Sequence, residues 1–145
     1  MVNDIPPDEF IISANRSRLD LDVIHGFLSR SYWAKNIPRE TVQRSVDHSL
    51  CFGVYHRDRQ VGFARVISDF STTAYVSDVF VLEPYRGGGL SKRLMQHIKG
   101  HPDLQGLRRW MLVTADAHGL YEQFGFTRVA HPERYLEILV ANPYG

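Results

Sequence analysis

The stretch DVFVLEPYRGGGLSKRLMQHI, residues 78–98, decides how the chain is built. Val79, Phe80 and Val81 are β-branched or aromatic, the composition of a strand. Glu83-Pro84 ends it, because proline has no N–H for a sheet ladder. Arg86 and three glycines, Gly87, Gly88 and Gly89, come next. Leu90, Leu94, Met95 and Ile98 then recur at helical spacing, with Lys92, Arg93, Gln96 and Lys99 on the other side. The order is strand, basic glycine turn, helix. Such a turn leaves the first N–H groups of a helix without partners and without side chains over them, which suits an anion such as phosphate. Consecutive glycines cost about 0.5–1 kcal/mol each relative to alanine in a regular element, which argues against a mere connection. The G-x-x-x-x-G-K-[ST] spacing of a Walker loop is absent. Lys92 stands where a dinucleotide fingerprint needs its third glycine.

Upstream, 74–82 reads as one strand, apolar on both alternating sets and so covered on both faces. CFGVYHRDRQVGFARVISDF, 51–70, reads as two strands around an Arg57-Asp58-Arg59 turn. A following turn centred on Ser71-Thr72 would set Arg65 directly opposite Asp78, giving that carboxylate a counter-charge. Asp20 or Asp22 can cap a helix with Leu21, Ile24, Phe27 and Leu28 on its apolar side. Pro38 opens a second helix, about 39–49, burying Val42 and Val46. Phe10–Ile12 is a short first strand, and residues 1–8 are a loose arm. Downstream, RRWMLVT (108–114) is a strand. A short helix with Leu120, Tyr121 and Phe124 stops at Gly125. Phe126–Ala130 and Glu137–Val140 are expected as the last two strands. The fold class is α/β, layered α+β: a mixed, mostly antiparallel sheet with helices on both faces, one domain over 1–145.

A net charge of +1 gives no global attraction to nucleic acid or to an anionic membrane, so basic character must be local. Cys51 is the one cysteine, which excludes an internal disulfide and favours a reducing, cytoplasmic setting. It reads as a small buried apolar residue. No apolar run approaches the roughly 20 residues of a membrane span. The start lacks the basic cap and apolar core of a secretory signal. Seven histidines make no H-E-x-x-H pattern, and no metal is expected.

VFVLEPYRGGGLSKRLM resembles the signature segment of the GNAT superfamily of N-acetyltransferases, [QR]-x-x-G-x-[GA]. Arg86 to Ser91 carry the match, with serine at the last position in place of Gly or Ala. TADAHGLYEQFGF resembles a second segment of that family, N-x-x-A-x-x-L-Y-x-x-x-G-F. Ala117, Leu120, Tyr121, Gly125 and Phe126 match, and Thr114 replaces the usual asparagine. The element order fits from about residue 10 to 140.

The resemblance implies acetyl-CoA as donor and N-acetyl transfer to an amine by direct attack. It implies that the pantetheine arm pairs with the main chain of Val79, Phe80 and Val81. The diphosphate would lie on Arg86, Gly87, Gly88, Gly89, Leu90, Ser91 and Lys92, with Thr114 and Ala117 also at the cofactor. Tyr121 would protonate the leaving thiolate; read from the residues alone, it is a half-buried aromatic beside Phe124. Some relatives use a glutamate as base where this chain has Ser77. Asp78 is then either structural or a substrate contact, and Tyr32 and Trp33 of SYWAKNIP would touch the acceptor. Glu83, Asp69, His25 and His48 are further candidates for the base, as is water. The acceptor is expected to be a small-molecule or peptide amine, with no nucleic acid and no membrane as partner, and a homodimer is left open. The alternative is a non-catalytic acyl-CoA-binding or sensing module.

Overall fold

The computed structural model describes residues 4–145, so the first three residues of the expected arm lie outside the described part. Phe10–Ser13 (β1), Leu50–His56 (β2), Arg59–Ser68 (β3), Thr73–Val81 (β4) and Arg109–Leu112 (β5) form one sheet in that spatial order. The first four are antiparallel neighbours, and β5 joins β4 in parallel. A parallel neighbour requires a crossover, here supplied by the helix α3, Leu90–Gly100.

Helices cover both faces, as the apolar periodicity requires. On one face Leu94, Met95 and Ile98 of α3 pack among Phe52, Val54, Val66 and Val76. On the other, α1 (Leu21–Leu28) and α2 (Arg39–Asp47) bring Ile24, Leu28, Val42 and Val46 against Cys51, Phe63 and Phe80. The Asp20 carboxylate caps α1 by accepting from the Asp22 and Val23 amides, and Pro38 precedes α2 as expected.

Two irregularities of β4 position the site. The β3–β4 register runs Ser68↔Ala74 to Arg65↔Ser77, then resumes at Phe63↔Phe80. β4 therefore carries an extra residue at Asp78-Val79, a β-bulge, with Asp78 at φ 53°. Arg65 faces Ser77 rather than the expected Asp78. The Asp69 carboxylate accepts from the Ser71, Thr72 and Thr73 amides, which tightens the turn and sets the register one residue short. The bulge then makes up the difference. The second irregularity is length: β4 and β5 pair only over Thr73–Val76 and Arg109–Leu112. β5 ends before the expected Thr114. Among the described residues, β4 from Ser77 onward thus has no ladder partner on the β5 side.

The strands expected at 126–130 and 137–140 do not form. A short 3-10 turn, Pro132–Arg134, separates the two runs, and Leu136 and Ile138 are each 97% exposed. Strand propensity reports fit to a half-buried pleated surface and does not supply a neighbour to pair with. The chain end is held elsewhere: Asn36 Nδ2 donates to the Gly145 carbonyl at 2.9 Å. The amino-terminal arm is also not loose throughout. Arg93 donates to the Pro7 and Phe10 carbonyls at 2.8 and 2.9 Å, and Ile5 packs on the core.

Candidate active site

Gly89 is the N-cap of α3 at φ 81°, and Gly87 lies at φ 89°. Both sit in the left-handed region, which costs any residue with a Cβ about 1–2 kcal/mol. The first amide at this end to find an acceptor is Arg93, bonded to the Gly89 carbonyl at 3.1 Å. The Leu90, Ser91 and Lys92 amides have no acceptor among the described residues. A Cβ built on Gly87, Gly88 or Gly89 would meet nothing within 4 Å, so the space above these donors is open. Helix-end donors, an aligned dipole and the flanking Arg86 and Lys92 together favour an anion. Arg86 is partly engaged, its Nε donating to the Val81 carbonyl at 2.8 Å. Its guanidinium therefore ties the turn to the end of β4. A pocket of about 170 Å3 adjoins the turn, lined by Ile5, Phe10, Tyr85, Gly87 and Gly88 among others. A larger one, about 290 Å3, lies behind β5 beside Trp110, Phe126 and Tyr135 and shares no residue with the turn.

Tyr121 lies in the short helix α4, His118–Glu122. Thr114 Oγ1 accepts from the Ala117 amide at 3.1 Å, fixing the approach to that helix. The Phe126 amide returns to the Tyr121 carbonyl at 3.3 Å, and Gly125 at φ 92° permits the stop. The Tyr121 ring is buried and meets Phe126 edge-on at 5.9 Å. Its hydroxyl forms no hydrogen bond with the described residues. The one side-chain polar atom that is both sealed and unpartnered among them is the Tyr55 hydroxyl, so the Tyr121 hydroxyl still reaches open space. Burial, and then the Asp116 carboxylate, push the Tyr121 phenol above its ordinary pKa. It is therefore protonated at neutral pH, the state an acid requires.

At the bulge, Asp78 is doubly held. Its Oδ2 accepts from Arg65 Nε at 2.8 Å, and its Oδ1 from Trp33 Nε1 at 2.9 Å. Arg65 also reaches the Ser49 hydroxyl at 3.1 Å and the Ser77 hydroxyl at 3.5 Å. The side chains of Arg65 and Asp78 are only 15% and 9% exposed, so this pair is largely out of water. The expected ion pair forms, carried by the bulge rather than by direct register. Phe27 stacks flat on Phe80 at 4.0 Å. Neither that stack nor Ser49 is marked in the sequence, because both contacts join elements far apart in the chain.

Three of the four further candidates for a base are engaged elsewhere, while Glu83 stands exposed in the 3-10 turn Glu83–Tyr85 just beyond β4. Asp69 is committed to its own turn, and the Thr72 hydroxyl and the turn amides hold its carboxyl well below the usual range. His25 Nε2 faces the Ile37 carbonyl at 3.0 Å, and His48 Nδ1 faces the Arg44 carbonyl at 2.9 Å. Among the described residues, no group of three or more His, Cys, Asp or Glu is arranged to hold a metal.

A family profile described as "Acetyltransferase (GNAT) domain" matches residues 47–128, more than half of the chain. The chain belongs to the GNAT acetyltransferase family. It is an acyltransferase enzyme by that membership, and the glycine turn and Tyr121 both lie inside the matched span. A crystal structure of a GNAT-family protein from Xanthomonas campestris pv. campestris, described as a candidate acetyltransferase, is 53% identical, with a TM-score of 0.91. The likeness spans 93% of this chain and 96% of that one. A Gibberella zeae protein named as a candidate acetyltransferase is 29% identical over 136 residues, covering 78% of this chain and 76% of its own. A Clostridium acetobutylicum protein described as a candidate acetyltransferase and solved with acetyl-CoA shares the fold at a TM-score of 0.64 and 11% identity, over 90% and 94% of the two chains. No helix among the described residues is long and apolar enough to cross a membrane.

Proposed function

We propose that this GNAT enzyme takes acetyl-CoA as donor and a primary amine as acceptor, with direct attack of the amine on the thioester. The observation that carries the reading is a continuity. Unpartnered amides at Leu90–Lys92 adjoin a β4 edge that lacks a partner on the β5 side from Ser77 to Val81 and contains the Asp78-Val79 bulge. Acetyl-CoA would bring a diphosphate, an amide-bearing arm and a thioester in that same order.

The Gly87–Lys92 amides would hold the diphosphate, and the exposed Arg86 and Lys92 would add charge. The main-chain edge of Val79, Phe80 and Val81, which has no β5 partner and where Arg86 takes up the Val81 carbonyl, would pair with the arm as an added strand does. Of the Phe80 and Val81 N–H groups, that of Val81 would polarise the carbonyl oxygen, because the Leu82–Val61 bond and the ladder's alternation turn that of Phe80 toward β3. Thr114 and Ala117 would border the sulfur end, because they fix the helix that carries Tyr121. The Tyr121 hydroxyl would give its proton to the departing sulfur as charge develops there. The amine would lose its proton to water, and the alignment of the two reactants would supply much of the rate. A reducing, cytoplasmic location belongs to the same proposal, supported by the single, buried thiol.

Tyr121→Phe tests the acid role. Turnover should fall about ten- to a thousandfold in a thiol-release assay, with acetyl-CoA affinity near that of the parent. Undiminished turnover would remove the role. A module that only binds would take up acetyl-CoA and release no thiol with any amine.

A further inference from the structure

The acceptor side of the bulge carries an observation that the donor site leaves unused. The loop between α1 and α2 presents Tyr32 at 74% and Trp33 at 43% exposure, although each ring has a large apolar area to bury. This is not slack in the loop. Ser31 Oγ donates to the Leu28 carbonyl at 2.7 Å and accepts from the Ala34 amide at 3.1 Å. The Asn36 amide closes on the Ser29 carbonyl at 2.9 Å, and Ala34 and Ile37 are buried. Trp33 Nε1 ties the loop to Asp78 on the bulge. The two rings are thus held out on a fixed frame. They form the outer end of an aromatic path: Tyr32 to Trp33 at 5.1 Å, Trp33 to Phe27 at 6.1 Å, Phe27 to Phe80 at 4.0 Å.

Charge narrows the occupant further. The carboxylate at this place, Asp78, is already matched by Arg65 and by the Trp33 indole. From Val23 to Pro38 the chain has no Asp or Glu but carries Arg30 and Lys35, while Arg39 is paired with Asp22. This loop offers a polycation like charge and no carboxylate of its own. We infer that the acceptor is a monoamine bearing a planar aromatic group, which stacks on Tyr32 and Trp33 while its amine reaches the bulge. This inference rests on the amine-acceptor reading above.

The test uses the whole chain saturated with CoA, and follows the Trp33 indole N–H by NMR, assigned through Trp33→Phe. Tryptamine or phenethylamine should shift that signal saturably, and spermidine at equal concentration should not. With acetyl-CoA, kcat/KM for the two aryl amines should exceed that for spermidine or kanamycin at least tenfold. Tyr32→Ala should raise KM for tryptamine about tenfold and leave KM for acetyl-CoA unchanged; Tyr32 makes no hydrogen bond whose loss would disturb the fold. No indole shift with either aryl amine, or a preference for spermidine, overturns the inference. Thiol release with spermidine or kanamycin but not with the aryl amines would overturn this inference alone, whereas no thiol release with any amine would overturn the transfer reading and this inference with it.

Discussion

Residues at four positions hold backbone or protonation states that their surroundings enforce. Gly87 and Gly89 are needed for their positive φ, not for room, since a Cβ at either would meet no neighbour. Gly89→Glu should therefore leave a folded protein whose affinity for acetyl-CoA is at least tenfold weaker by calorimetry. It combines left-handed strain with a negative charge beside the diphosphate donors. Unchanged affinity would contradict the proposed contacts. Asp78 occupies the left-handed region itself, a conformation that Asp tolerates better than most residues. Cys51 gives a pH test. Burial chiefly pushes its thiol from 9.0 up to about 11, the Asp78 and Asp47 carboxylates helping and Arg16 and Arg65 opposing. The folded state then keeps a proton that the unfolded chain releases between those values. Stability from this source is complete below pH 9 and declines as pH rises through that window. Urea unfolding of Cys51→Ala should show a drop between about pH 8 and 10.5 that is smaller than the parent's by about 2 kcal/mol. Superimposable drops would refute the assignment.

Elements behaved differently according to whether their signals were local. The α1 cap at Asp20, the start of α2 after Pro38, the Arg57 turn and the Gly125 stop all came from short-range chemistry, and all are present. The end of the chain followed no such rule. The β-branched and aliphatic run Ile138 to Val140 reads as a strand, yet a strand exists only as half of a pair, and no partner is supplied. Amides of residues 136–140 should therefore exchange with solvent at rates near those of an unfolded chain. The inner strands β2 and β3 should be strongly protected. Protection of 136–140 would mean that this segment gains a neighbour. If that protection grew with protein concentration, the neighbour would be a second copy of the chain, making the homodimer real.

At the scale of the whole molecule, one sheet separates two apolar layers, and Phe80 joins the helical layer to the bulge. It packs with Phe63 at 5.8 Å, stacks on Phe27 and belongs to the strand whose edge has no β5 partner beyond Val76. Phe80→Ala should cost about 3–5 kcal/mol of stability by denaturant unfolding. It should also raise KM for acetyl-CoA, because the β4 main chain loses the packing that fixes it. A loss below about 1 kcal/mol would show that the Phe27 stack is dispensable.

The strand–glycine turn–helix order, the two-faced strand at 74–82 and the tyrosine helix could be read in one dimension, because each depends on residues within a few positions of one another. The unpartnered amides at the start of α3 are of the same kind: local backbone geometry creates them. The bulge at Asp78, the early parting of β5 from β4, and the tie from Trp33 to Asp78 required the folded chain. They depend on how residues 12 to 45 positions apart settle against one another, and a repeating side-chain pattern carries no information about where a ladder slips or stops.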